Sequence, residues 1–124
     1  GFEAAAIRFK SSLQENAKMH AIVEDVVEAS HNGIISWEIK SNIQPVLLQG
    51  KDDYEKTKER WIIFEEYFTE KKIKFKKIVS IEGDIISKLV NLIYILDYAS
   101  IYLAVINKID PTPVYSIDYI KSRL

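Results

Sequence analysis

Cysteine is absent from the 124 residues, so disulfide scaffolds, thiolate metal centres and cysteine nucleophiles are excluded. Glycine is scarce. The four glycines stand apart at Gly1, Gly33, Gly50 and Gly83 and cannot build a glycine-rich phosphate loop, and neither an HExxH nor a GxSxG motif occurs. Nucleotide-dependent chemistry is therefore not expected. An excess of one charge is missing too: 17 Lys and Arg against 18 Asp and Glu leave a net charge of −1. That provides no electrostatic footprint for nucleic acid or an anionic membrane. No repeat, low-complexity tract or Pro/Gly-rich linker divides the chain, so one domain over residues 1–124 is expected. The opening GFEAAAIRF has no basic run followed by an apolar core, which argues against a signal peptide and leaves a soluble, cytoplasmic domain as the expectation.

What is present is apolar material, 48% of residues, enough for a chain of this length to bury about two-thirds of its unfolded surface. From Ala4 to Lys18, Ala5, Ala6, Phe9 and Leu13 recur at helical spacing with Arg8, Lys10 and Ser12 between them. Ile22, Val23, Val26 and Val27 continue the pattern to Ser30, where His31, Asn32 and Gly33 form a helix-stop signal. Ile43–Gln49 reads as a buried strand closed by Gly50. Asp52 and Asp53 then stand where an N-cap is wanted, before a helix whose face is Tyr54, Trp61, Phe64 and Phe68. A second strand over Lys74–Glu82 leads to Asp84, the expected cap of a very apolar helix reaching Asn107. A stiff turn over Ile109–Val114 and a last helix from Tyr115 to Leu124 complete the chain. Strand, helix, strand, helix with such short connections predicts a parallel α/β sheet.

Few residues suggest chemistry by pattern alone. His20 and Glu24, four apart, with His31 downstream raise the question of a metal site, but nothing in the spacing demands one and a solvated helix pair is the reading preferred. The KKIKFKK run at 71–77 reads as a strand edge blunted by lysines. Leu89–Ile106 has about the length of a minimal membrane span, yet it contains Asn91, Asp97 and Ser100 and reads as a buried helix, since an intramembrane Asp is costly. Glu15 falls beside Leu13 and Ala17, near the buried face of its helix, where a carboxylate needs partners or a task, although on helical phase alone a surface glutamate is the reading preferred. Asp110-Pro111-Thr112-Pro113 is, by itself, a rigid turn.

Three segments together go further: QENAK at 14–18, SHNGIISWE at 30–38 and SIYLAVINKIDPTPVYSIDYIKSRL from 100 to the end. They resemble the C-terminal half of the bifunctional phosphoglucose/phosphomannose isomerases, members of the sugar isomerase (SIS) superfamily. The resemblance covers essentially the whole chain. It implies a three-layer α/β SIS domain, a short parallel sheet flanked by helices, lacking its first strand and the family's N-terminal SIS domain. It also implies an aldose–ketose isomerase of hexose 6-phosphates, working in glycolysis and gluconeogenesis through an enediol with no metal or other cofactor. The isolated chain is then expected to be inactive, because the side chains that grip the sugar phosphate belong to the N-terminal domain. Carried over residue by residue, the family's roles make Glu15 the base that moves a proton between C1 and C2, and give His31 and Lys121 to ring opening. Thr112 becomes the hydroxyl residue that leaves room for mannose as well as glucose.

Residues 15 and 31 are sixteen apart and would be separated by as much as about 24 Å if helical throughout. In the family the histidine serves the neighbouring subunit's site, so a homodimer is expected, with hexose 6-phosphate as the ligand and neither nucleic acid nor membrane as partner. The other reading is a non-catalytic sugar-phosphate-binding or dimerisation module of the same fold.

Overall fold

The computed structural model describes residues 1–124. Its elements run α1 (Glu3–Asn16), α2 (Val26–Ala29), a 3₁₀ helix (Gly33–Glu38), β1 (Val46–Gln49), α3 (Glu55–Glu70), β2 (Lys76–Val79), α4 (Ile85–Ile106) and α5 (Tyr115–Lys121). β1 and β2 pair in parallel, Val46 opposite Lys76 and Gln49 opposite Val79, with α3 as the crossover. Side chains alternate along a strand. Leu47 therefore joins Val26, Ala29, Phe64 and Phe68 on one face, while its neighbour Leu48 packs with Ala5, Leu92 and Leu96 on the other. A four-residue strand thus sorts the helices, α2 and α3 to one side and α1 and α4 to the other. The result is the three-layer α/β arrangement expected from the sequence, built on a two-stranded sheet.

The first layer centres on Phe68, which is almost wholly buried and meets the rings of Trp37, Phe64 and Phe75 at centroid separations of 5.4–5.8 Å. Such tilted and edge-on contacts suit the quadrupoles of aromatic rings. Of the lysine run, Lys76 and Lys77 lie on β2, where Lys77 pairs with Glu65 at 2.8 Å.

Several local expectations are corrected. The amphipathic run from Ile22 to Ser30 yields only the single turn α2, and residues 18–25 have no regular secondary structure. Two local causes account for this. Lys18 adopts a left-handed backbone, φ 54°, which ends α1, and the extended backbone of Asp25, whose carboxylate accepts the Val27 amide at 2.8 Å, starts the next turn afresh. Asp53 does not cap α3, which begins after Tyr54 without a side-chain cap. It accepts the Gly50 amide at 2.8 Å and the Trp61 indole N–H at 3.1 Å instead, pinning the β1–α3 turn to its helix. Asp52 pairs with the buried Lys88. Asp84 does cap α4, and the Ser87 amide it accepts at 2.8 Å helps hold its carboxyl below the usual range.

The largest correction concerns α4. Its buried residues, Lys88, Leu92, Leu96, Ser100 and Ala104, form one stripe at four-residue spacing, flanked by the half-buried Leu89 and Ile93, and most of the other apolar side chains face outward, Ile86 at 70%, Tyr94 at 63% and Ile106 at 75% exposure. The helix is long and apolar enough to cross a membrane by length and composition. Three of its polar members, however, are tied to other elements of the domain, Lys88 to Asp52, Asp97 to Arg8 and Ser100 to Asn16.

With glycine scarce, all three long helices end on a lysine in the left-handed region: Lys18, Lys72 and Lys108, with φ between 54° and 58°. That conformation costs an L-residue roughly 1–2 kcal/mol, and glycine escapes the cost at the expense of a freer unfolded chain. Lys72→Gly and Lys108→Gly are each expected to raise stability to urea by up to about 1 kcal/mol. A loss of stability in both would contradict this reading of the helix ends.

Candidate functional site at the C-terminal ends of α1 and α4

α1 lies along α4 in the same direction, as the order of their contacts shows. Ala5 packs on Leu92 and Leu96. One to two turns later Arg8 donates through Nε and Nη2 to Asp97 Oδ2 at 3.0 and 2.6 Å, and Ser12 donates to Asp97 Oδ1 at 2.8 Å. A further turn on, Asn16 donates through Nδ2 to the hydroxyl of Ser100 at 2.8 Å, and that hydroxyl, fully buried, donates to the Asp97 carbonyl at 2.6 Å. Burial pushes the Asp97 carboxyl up, but the hydrogen bonds from Arg8 and Ser12 and the charge of Arg8 outweigh it and hold the group below the usual carboxylate range. Polar rungs therefore fix the sliding register of two helices whose apolar contact alone would be permissive.

The register delivers the end of α1 to the turn that follows α4. Ala17 is fully buried, and Lys18 donates its ammonium to the backbone carbonyls of Glu15 at 2.6 Å and Pro113 at 2.7 Å, with Pro111 at 3.4 Å. Within that turn the Thr112 amide donates to Asp110 Oδ1 at 2.9 Å. This amide bond, the Thr112 hydroxyl and then the charge of Lys18 hold the Asp110 carboxyl low. The Glu15 end of α1 and the Thr112 turn are thus joined, although 97 positions separate residues 15 and 112 in the chain.

The side chains of Glu15, His31, Thr112 and Lys121 are all exposed. Glu15 is thus a surface glutamate, as its helical phase favours; Asn16 and Ala17 take the inward positions. Lys121 sits in the last turn of α5, a helix with no buried residue. His31 follows α2, which packs against α3 on the opposite face of the sheet from α1. Within one chain the geometry unites Glu15 with the Thr112 turn and leaves His31 on another layer. His20, Glu24 and His31 do not gather into a group able to hold a metal ion, and the Glu24 carboxylate lies instead against Gly33. A depression of about 530 Å³ beside Gln44, Thr69 and Lys72–Lys76 contains none of the four candidates.

Sequence reasoning missed Asn16, Lys18, Asp97 and Ser100 as positioning groups. A signal existed for the last two, since a carboxylate and a hydroxyl in so apolar a helix require partners.

Two short parallel strands between helical layers make an α/β domain in which the QENAK segment and the Thr112 turn meet beyond α1 and α4, while SHNGIISWE lies on the opposite layer. The chain belongs to the family described as the bacterial phospho-glucose isomerase C-terminal SIS domain, whose model matches residues 1–124. It is similar to the bifunctional phosphoglucose/phosphomannose isomerase of Caldicellulosiruptor bescii, 32% identical over 126 residues, covering 98% of the chain and 37% of the relative. It is also similar to the protein of that name from Aquifex aeolicus, 28% identical over 127 residues, covering 96% of the chain and 38% of the relative. The chain spans less than two-fifths of the length of these curated relatives. No solved structure matches it significantly.

Asp97 should make stability depend on acid. A carboxyl whose folded pKa is depressed contributes stability above its unfolded pKa of about 3.9 and loses it as the pH falls through the folded value. Asp97→Asn is expected to cost about 1–2 kcal/mol at pH 7, discounted for the exposure of Arg8. The gap from the unsubstituted protein should close below about pH 4. A gap independent of pH in urea unfolding would contradict the assignment.

Proposed function

We propose that the protein carrying this chain interconverts glucose 6-phosphate or mannose 6-phosphate with fructose 6-phosphate in the cytoplasm, and that Glu15 is its proton-transfer base. The observation that supports this most is the junction made by Lys18, which sets the exposed carboxylate-bearing end of α1 beside the Thr112 turn in a chain of this family. In the proposed reaction the Glu15 carboxylate removes the C2 proton of the open-chain aldose, leaving an enediol. It returns that proton to C1 while a hydroxyl proton passes between O2 and O1, so that no electron leaves or enters the substrate. A carboxylate at hydrogen-bond reach of the carbon-bound proton meets the requirement for general base catalysis. Lys121 assists opening of the sugar ring or holds hydroxyls, and Thr112 shapes the space around C2. The donors for the phosphate are assigned to the rest of the protein, since this chain has no loop rich in Ser, Thr or Gly.

His31 is assigned to ring opening in the site of a second copy. Its place on the opposite layer from Glu15 supports this arrangement. So does the outward apolar side of α4, where the rings of Tyr94, Tyr98 and Tyr102 follow one another at 4.8 and 6.3 Å, a surface suited to cover by an isologous contact. The alternative is a non-catalytic sugar-phosphate-binding or dimerisation module of the same fold.

In the full-length protein, Glu15→Gln is expected to lower turnover of fructose 6-phosphate by about 10²- to 10⁴-fold; near-normal turnover favours the module. Co-expression of Glu15→Gln with His31→Ala tests the sharing of histidine. Half of randomly paired dimers are mixed and one of their two sites is intact, so about a quarter of normal activity should return. No recovery in isolated mixed dimers would place His31 in the site of its own chain.

A further inference from the structure

We infer that Lys18 is a positioning residue: its ammonium clasps the carbonyls of Glu15 and of the prolines flanking Thr112, holding the base and the substrate-facing turn as one rigid unit. The inference rests on the reading of Glu15 as the base. Its support is geometric. The three protons of a lysine ammonium have three acceptors here, Glu15 O at 2.6 Å, Pro113 O at 2.7 Å and Pro111 O at 3.4 Å. Lys18 is therefore spent on backbone and is not offered to a substrate phosphate. Its acceptors lie 3, 95 and 93 positions away in sequence, so a single side chain spans both halves of the site.

The backbone of Lys18 makes the same point. At φ 54° a glycine would sit without strain, and Lys72 and Lys108 occupy equivalent helix ends with exposed side chains. Only at Lys18 does the side chain of a left-handed lysine reach back to bind the peptide of the residue proposed to do chemistry. The rest of the turn is already stiff, because Pro111 and Pro113 have fixed φ and Asp110 holds the Thr112 amide. What the prolines leave free is the placement of the whole turn against α1, and the ammonium removes that freedom. On the other side Asn16, bonded to the buried Ser100, fixes the peptide that follows Glu15. Glu15 is thereby held between two anchored neighbours while its own side chain stays exposed.

The test is made in the full-length protein with Lys18→Met, Lys18→Gly and Glu15→Gln, reading kcat and KM separately for glucose and mannose 6-phosphates. A displacement of about 1 Å between base and substrate can cost on the order of a hundredfold in rate. Lys18→Met is expected to lower kcat by about 10- to 100-fold with KM changed less than about threefold. Lys18→Gly relieves the backbone while removing the clasp, so it should show the same loss of kcat with an unfolding midpoint at or near the unsubstituted value. Added to Glu15→Gln, either change should lower the residual rate no further, because Lys18 acts through Glu15. If both Lys18 variants keep normal kcat while Glu15→Gln is inactive, the clasp is overturned and the base stands. A tenfold rise in KM at unchanged kcat overturns it as well, by giving Lys18 to the substrate. Normal turnover of Glu15→Gln overturns the underlying reading of Glu15 itself.

Discussion

The contact between α1 and α4 is the constraint on which the rest of the arrangement depends. Its apolar part sets Ala5 with Phe2 and Phe9 against Leu92 and Leu96 with Leu89 and Ile93, and apolar contacts by themselves tolerate sliding and rotation. Asp97 removes that tolerance, since one carboxylate accepts from Arg8 and Ser12 on successive turns of α1 and the next turn is tied through Asn16 and Ser100. Charge-assisted hydrogen bonds have strict geometry. A helix shifted by one turn would take Arg8 and Ser12 from the partly buried Asp97 carboxylate and the Asn16 donor from the buried Ser100 hydroxyl, leaving desolvated polar groups short of partners. The position of Glu15 in space is a consequence of that register.

The same geometry accounts for two features that look unrelated. Committing one stripe of α4 to α1 and the sheet leaves its other sides uncovered, so an apolar surface is built into a domain whose net charge is close to zero. Residues 18–25, which form neither helix nor strand, carry the chain from the α4 side of the sheet to the α3 side, which separates His31 from Glu15. In the proposed function a site that needs both residues is completed from outside the single chain, and the uncovered side of α4 is the surface assigned there to a second copy. Incomplete packing and an incomplete site go together in this reading.

Much of this architecture was legible in the sequence because it is periodic or locally signalled. Phe64 and Phe68 marked the inner face of α3, Asp84 marked the start of α4, and the apolar run closed by Gly50 gave the strand that sorts the layers. What was not legible depends on partners far away in the chain. The end of α1 is set by the left-handed Lys18, whose side chain is held by carbonyls more than ninety residues later. Asp53 had the right position for a cap and was drawn instead to Gly50 and Trp61. Glu15 and Thr112 could be singled out through motif resemblance, whereas the work of Asn16 and Lys18 between them is visible only once α1 and α4 are docked. Composition also said nothing about which side of α4 would be covered, because nearly every side is apolar.

The most direct measurement of the central claim is a crystal structure of the full-length protein with an acyclic hexitol 6-phosphate, which has no carbonyl and cannot isomerise. The account predicts the polyol chain in the space between α1 and the Asp110–Val114 turn. The Glu15 carboxylate should lie within hydrogen-bond reach of C1 or C2 or their hydroxyls, and Lys18 should still clasp the Glu15 and Pro113 carbonyls. A ligand bound away from Glu15, or a Lys18 ammonium turned onto the ligand's phosphate, would contradict it.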